Sequence, residues 1–162
     1  MIKYAKKDNF YSIFPMGEIP NDWEELTKEE YDKHFEKTLD ELKSEKLSEL
    51  TEITSKFDNQ LVNTDMIIKS SLGFSINADL RSQLNIHRLI NVGVEPVSFI
   101  VADNTTVDLN LAQLNVLINE CEENMQYLFD LKQSYKKQIT DATTKEELDT
   151  IEIKFEMLDF RD

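Results

Sequence analysis

Residue types that do chemistry are sparse in this chain. Two histidines, His34 and His87, and one cysteine, Cys121, stand among 32 acidic and 18 basic side chains. Metal sites and nucleophilic catalysis need such types at ligand spacing, or beside a base. Each histidine instead falls in a stretch of helical periodicity with no Cys or His near it, so a surface or packing role is expected. The acid- and amide-rich run Asp103-Asn104-Thr105-Thr106-Val107-Asp108 is a candidate cation loop. A calcium-binding EF-hand loop needs glycine at its sixth position and glutamate at its twelfth. Counted from Asp103, those positions hold Asp108 and Leu114. The loop therefore reads as a hairpin turn, with Asp and Asn bonding their own backbone.

Paired carboxylates abound, but they fall on charged helix faces, whereas general acid–base work needs a desolvated pair with split pKa values. Glu41, Glu45 and Glu49 form a like-charged row at i, i+4 spacing, read as a solvated face that a basic partner would relieve. There is no Gly-rich phosphate loop and no G-x-S-x-G elbow. The expectation from these residues is a chain with no catalytic, cofactor or metal site.

The chain has 162 residues, room for one domain or for a small domain with an appendage. Its net charge of -14 disfavours nucleic acid and anionic lipid, both of which need clustered Lys and Arg. A single cysteine allows no intrachain disulfide and fits a reducing cytosol. No apolar run suits a signal peptide or approaches a membrane span. Only three glycines and three prolines imply mostly regular structure. The charge is uneven: residues 61–101 are balanced, whereas acids outnumber bases about twofold over 21–60 and 102–162.

That pattern predicts an α+β fold in three parts. Over 1–26, "IKY" and "FYSIF" form a small hairpin turning at Asp8-Asn9, closed by Pro15 and Pro20. Over 27–60, one long acidic helix starts at a Thr27–Glu30 capping box, with Tyr31, Phe35, Leu39, Leu42, Leu50, Ile53 and Phe57 on a narrow apolar stripe. Residues 61–162 form a compact domain. Its expected elements are strands "DMIIKSS" and "GFSIN" turning near Leu72-Gly73, then a helix from Ala78 to Asn91 capped by Asn77 and ended by Gly93. A hairpin of "VSFIV" and "TVDL" follows, then a helix from an Asn110–Gln113 capping box to about Thr140. A third cap, Thr143 with Glu146 or Thr144 with Glu147, starts a short helix. "IEIKFEMLDF" completes the domain as a terminal strand.

The long second helix carries the clearest periodicity. Leu114, Ile118, Cys121, Met125, Leu128, Lys132, Tyr135 and Ile139 alternate four- and three-residue steps, an a/d seam with one lysine in it. Two readings stay open: the core stripe of one domain, or a self-associating coiled coil. On either, Cys121 is an inert buried thiol.

Two blocks carry a resemblance. The opening, with Phe10-Tyr11, Ile19-Pro20-Asn21-Asp22 and Leu26-Thr27-Lys28-Glu29-Glu30-Tyr31, resembles the start of phage tail-fibre assembly proteins. From Gly73 to Ile151, "GFSINAD", "QLNIHRLI", "ADNTTVDLNLAQL" and "DATTKEELDTI" are similar to a domain of unknown function found in phage tail-fibre genes. That domain often ends in Trp-Pro, whereas this chain ends "FEMLDFRD". The resemblance implies a non-enzymatic accessory protein that binds a trimeric tail-fibre protein in the host cytoplasm during assembly. The alternative it leaves is a permanent part of the fibre or baseplate in the virion tail, with the seam as an oligomerisation element. The expected contact surface is the aromatic set Phe10, Tyr11, Phe14 and Trp23, since aromatics dominate interface hot spots. The same four residues could instead form a small core beneath the hairpin.

Overall fold

The computed structural model describes residues 2–15, 18–63 and 66–161. The chain divides into two compact units, Met1–Glu41 and Leu42–Asp162.

In the first unit, β1 (Lys3–Lys7) and β2 (Phe10–Phe14) form the expected antiparallel hairpin. Asp8 at its turn takes φ 52, a left-handed conformation that a short polar side chain tolerates. A third strand, β3 (Glu24–Leu26), pairs with the other side of β1, giving the order β2-β1-β3. Its acids meet the lysines of β1, Lys6 with Glu24 at 3.0 Å and Lys3 with Glu25 at 3.4 Å. Three residues with two adjacent glutamates carry little strand signal. Cross-strand pairing supplies what propensity lacks. Helix α1 (Lys28–Phe35) starts at the Thr27–Glu30 capping box.

The single acidic helix expected over 27–60 is two helices. Glu36 ends α1 in an extended conformation, and α2 spans Leu39–Asn63. Thr38 and Glu41 form a further capping box: Glu41 N donates to Thr38 Oγ1 at 3.2 Å and Thr38 N to Glu41 Oε2 at 2.8 Å. A threonine and glutamate three apart satisfy the orphan amides of a new helix, so a break here costs little.

The second unit holds two antiparallel pairs, β4 (Ile67–Lys69) with β5 (Ser75–Asn77) and β6 (Val97–Ile100) with β7 (Thr106–Leu109). Asp65, in the expected first strand, lies outside the described residues. Between the pairs runs α3 (Leu80–Val92). Asp79, not Asn77, caps it, accepting from Ser82 N at 3.0 Å. Asn77 is instead the last residue of β5. Gly93 ends the helix at φ 68, receiving the cap geometry its missing Cβ permits. The turn after β6 follows its chemistry, with Asp103 accepting from Thr105 N at 2.9 Å.

Helix α4 (Leu111–Asp141) starts at the Asn110–Gln113 box and is the spine of this unit. Lys43 of α2 donates to Thr140 O at 2.8 Å, placing a cation where the α4 carbonyls run out of partners. Helix α5 (Lys145–Asp149) starts at Thr144, with Thr143 N bonded to Glu147. The core gathers Met66, Ile68, Ile76, Ile86, Phe99, Val101 and Leu109 around Leu114, Leu117, Ile118, Cys121 and Leu128.

The terminal strand does not form. Residues 151–160 make one isolated bridge, Lys69 with Asp159, with Phe160 N donating to Lys69 O at 2.8 Å. Side chains of α4 hold this segment instead. Asn124 Oδ1 accepts from Leu158 N at 2.9 Å, and the Tyr135 hydroxyl accepts from Lys154 N at 3.1 Å while donating to Lys154 O. Apolar alternation matches a strand, but pairing needs an open edge, and these amides are satisfied by side chains.

Candidate binding surfaces

The four aromatics expected to form one contact surface do not share a face. Successive strand residues point to opposite sides, so Tyr11 lies with Tyr4 and Ile13 on one face of the sheet, and Phe10 and Phe14 lie on the other. Tyr11 stacks on His34 of α1 at 3.4 Å and 12° and meets Tyr31 and Phe35 edge-on. Tyr4 packs against Tyr31 at 5.0 Å. Phe14 meets Trp23 edge-on at 5.6 Å. Tyr11 thus belongs to a half-buried aromatic cluster beneath α1. In it the stripe residues Tyr31 and Phe35 and the packing histidine His34 meet Tyr4 and Tyr11, a grouping not expected from sequence. Their signal was the i, i+3, i+4 spacing of Tyr31, His34 and Phe35.

Phe10 stands apart, 71% exposed. With Ile13, also exposed, it sits on β2, the edge strand of the three-stranded sheet. An edge strand bearing exposed apolar side chains is a ready template for another chain.

The seam of α4 faces this chain's own core. Leu114, Ile118, Cys121, Leu128 and Ile139 are buried, and Met125 packs against the same cluster. Tyr135 is half-buried, spans to the C-terminal segment and packs on Phe155, which also meets Phe57 of α2. The stripe is already covered by α2, α3, the hairpins and the tail. Burial pushes the Cys121 thiol up to about 12, helped by the neighbouring Glu120 carboxylate.

Sequence reasoning missed two buried polar residues on α4, Glu120 and Asn124. Glu120 Oε1 accepts from Ser71 N at 3.0 Å and from the Ser71 hydroxyl, tethering the β4–β5 turn. Its Oε2 is buried and meets no donor. These residues flank the apolar seam and carried no signal of their own, because a Glu and an Asn four apart usually mark a solvated face. The Glu41, Glu45 and Glu49 row is similarly not a plain acidic strip. The Thr38 amide and hydroxyl hold the Glu41 carboxyl below the usual range, and Glu49 pairs with Lys46 at 3.1 Å. His87 lies 3.8 Å from Glu122 on the surface of α3. Among the described residues no three His, Cys, Asp or Glu side chains are arranged around a metal position.

A cleft of about 730 Å³ lies in the second unit, along β6 and one face of α3. Arg81, Leu84, Asn85 and Arg88 line it from the helix, and Ser98, Phe99 and Ile100 from the strand. Its volume is that of a ligand pocket, but its walls are a helix face and a strand edge.

Residues 41–152 match the model of a domain of unknown function, DUF4376. The chain belongs to that family. No curated protein and no solved structure matches it. The DUF4376 match covers α2 from Glu41 through α5, so it takes in the α4 spine, both hairpins and the cleft. The three-stranded sheet lies before it. No helix among the described residues is long and apolar enough to cross a membrane.

Proposed function

We propose that this DUF4376 protein is a phage tail-fibre assembly protein that acts by binding the fibre protein, without catalysis. The observation that carries the reading is the β2 edge, where Phe10 and Ile13 are exposed on a strand that pairs on one side only among the described residues. Fibre proteins are β-rich trimers whose strand edges stand open until the trimer closes, and open edges aggregate. A small sheet with an apolar edge can cover such a strand by augmentation and leave when the trimer forms. The resemblance of residues 10–31 to the start of tail-fibre assembly proteins supports the same assignment. Binding would take place in the host cytoplasm, before the fibre joins the particle.

The runner-up is a permanent part of the fibre or baseplate. The burial of the α4 seam weighs against the trimerisation role it would need, since those side chains already have partners within one chain.

Co-expression of the chain with the β-rich fibre gene of its own locus tests the proposal. Soluble fibre yield should rise, and Phe10→Asp with Ile13→Asp should reverse the gain while the protein still folds. Mass spectrometry of purified virions separates the two readings. An assembly factor is absent or substoichiometric, and a structural part is present at fixed copy number. A fibre whose folding and solubility ignore the protein sinks the first reading.

A further inference from the structure

The second unit contains two strand edges that meet at one end and part at the other. Ala102 N donates to Ser75 O at 2.9 Å, joining the chain just past β6 to the start of β5. Val101 N donates to Thr105 O at 3.0 Å, so the backbone groups of Val101 point toward the β7 side. The strand period then turns those of Ala102, Ile100 and Ser98 to the opposite edge. The same count on β5 starts from Ser70 N to Phe74 O and Ala78 N to Met66 O. It turns Ser75 and Asn77 away from β4. Past the Ser75–Ala102 junction, Asn77, Ser98 and Ile100 present outward backbone groups that no described backbone partner meets.

Those three residues line the cleft against α3. Ser98, Phe99 and Ile100 point their side chains to alternate faces, yet all three line it, so the cleft runs along the strand edge. Across it stand Arg81 and Arg88, two of only three arginines in a chain of net charge -14. Both are exposed, and no described carboxylate pairs with either. Asp79, the acid nearest them in sequence, is engaged through both oxygens by Ser82. Leu84 and Ile100, 69% and 64% exposed, give the cleft an apolar contact on each wall.

We propose that this cleft binds an extended polypeptide segment of alternating acidic and apolar side chains, added as a strand to the β6 edge. The outward-facing N–H and C=O groups of Ser98 and Ile100 supply the main-chain ladder. The guanidiniums of Arg81 and Arg88 take carboxylates of the guest, bidentate where geometry allows. Leu84 and Ile100 receive the apolar side chains between them. The two guanidiniums favour an acidic guest. Within this chain the segment of that pattern, residues 151–160, is already held against α4 through Asn124 and Tyr135, and nucleic acid has no main-chain amides to extend a sheet. The cleft lies wholly within the second unit, and the inference stands without the fibre reading.

The test uses the full chain and a fluorescein-labelled peptide alternating Glu with Val, followed by anisotropy. Binding should weaken at least about tenfold in the double variant Arg81→Glu, Arg88→Glu. The circular dichroism and melting of that variant should match the parent, because both side chains are exposed. Replacing Glu by Lys in the peptide, or N-methylating its alternate amides, should abolish binding. In the complex, amide hydrogen exchange at Ser98 and Ile100 should slow. No binding at any attainable peptide concentration overturns the proposal. So does binding indifferent to charge reversal or to N-methylation. Protection of the Ser98 and Ile100 amides that rises with protein concentration in the absence of peptide overturns it in favour of a second copy.

Discussion

Asn124 Oδ1 accepts the backbone N–H of Leu158 at 2.9 Å, joining α4 to a segment 34 residues further along the chain. The amide side chain is fully buried and its nitrogen lies 3.3 Å from Met157 Sδ. An amide that would otherwise occupy a strand ladder is therefore satisfied by a side chain. Removing the acceptor leaves a partly buried N–H with nothing to meet, which costs about 1–3 kcal/mol. Asn124→Ala should lower stability by that amount and speed hydrogen exchange at Leu158 before the core exchanges. Unchanged exchange at Leu158 would show that the tail is held by its apolar residues alone.

Glu120 separates two effects of one carboxylate. Glu120→Ala strands the Ser71 amide and hydroxyl and should destabilise by about 1–3 kcal/mol. Glu120→Gln keeps an acceptor for Ser71 and removes a charge whose second oxygen has no donor. It should cost less than the Ala variant, since the Ser71 amide and hydroxyl keep their acceptor. Denaturant melts of the two variants decide it, and a Gln variant as damaged as the Ala variant refutes this account of Glu120.

Cys121 should resist thiol reagents in the folded protein at neutral pH and react once the chain is unfolded, because the thiolate is the nucleophile. Its pKa is raised from 9.0 to about 12 in the folded state. A raised value means that the folded chain holds this proton more tightly. The contribution is fully present below the unfolded value and is lost as pH climbs toward the folded one. The stability gap between the parent and Cys121→Ala should therefore narrow between pH 9 and 12. A gap that stays constant across that window removes the linkage.

Leu128 tests the seam. It is 7% exposed and packs in the main core cluster. Leu128→Ala should cost about 2–5 kcal/mol. The loss should be the same at every protein concentration, with a monomer mass by light scattering. A melting temperature that climbs with concentration would instead show association contributing by mass action.

The chain's local signals carried the elements whose causes lie within a few residues. Thr27 with Glu30, and Asn110 with Gln113, capped their helices because each box is closed by groups three residues apart. Gly93 and Asp103 acted the same way, since a left-handed cap and a side-chain-bonded turn need no distant partner. Thr38 with Glu41 carried an equal signal, overlooked because an apolar stripe ran through the break. Tertiary structure decided what depends on residues far along the chain. The α4 seam reads alike for a coiled coil and a core, and what covers it is set by Met66, Ile86, Phe99 and Leu109 arriving from four other places. The alternation of residues 151–160 was real, yet Asn124 and Tyr135 took the amides a ladder would have used. The two-residue strand period already parted Tyr11 from Phe10 and Phe14, and what only the assembled chain decided is that α1 brings His34 onto Tyr11. Backbone and capping bonds are short-ranged and so are written locally. The burial of an apolar face is non-directional, and only the assembled chain chooses what buries it.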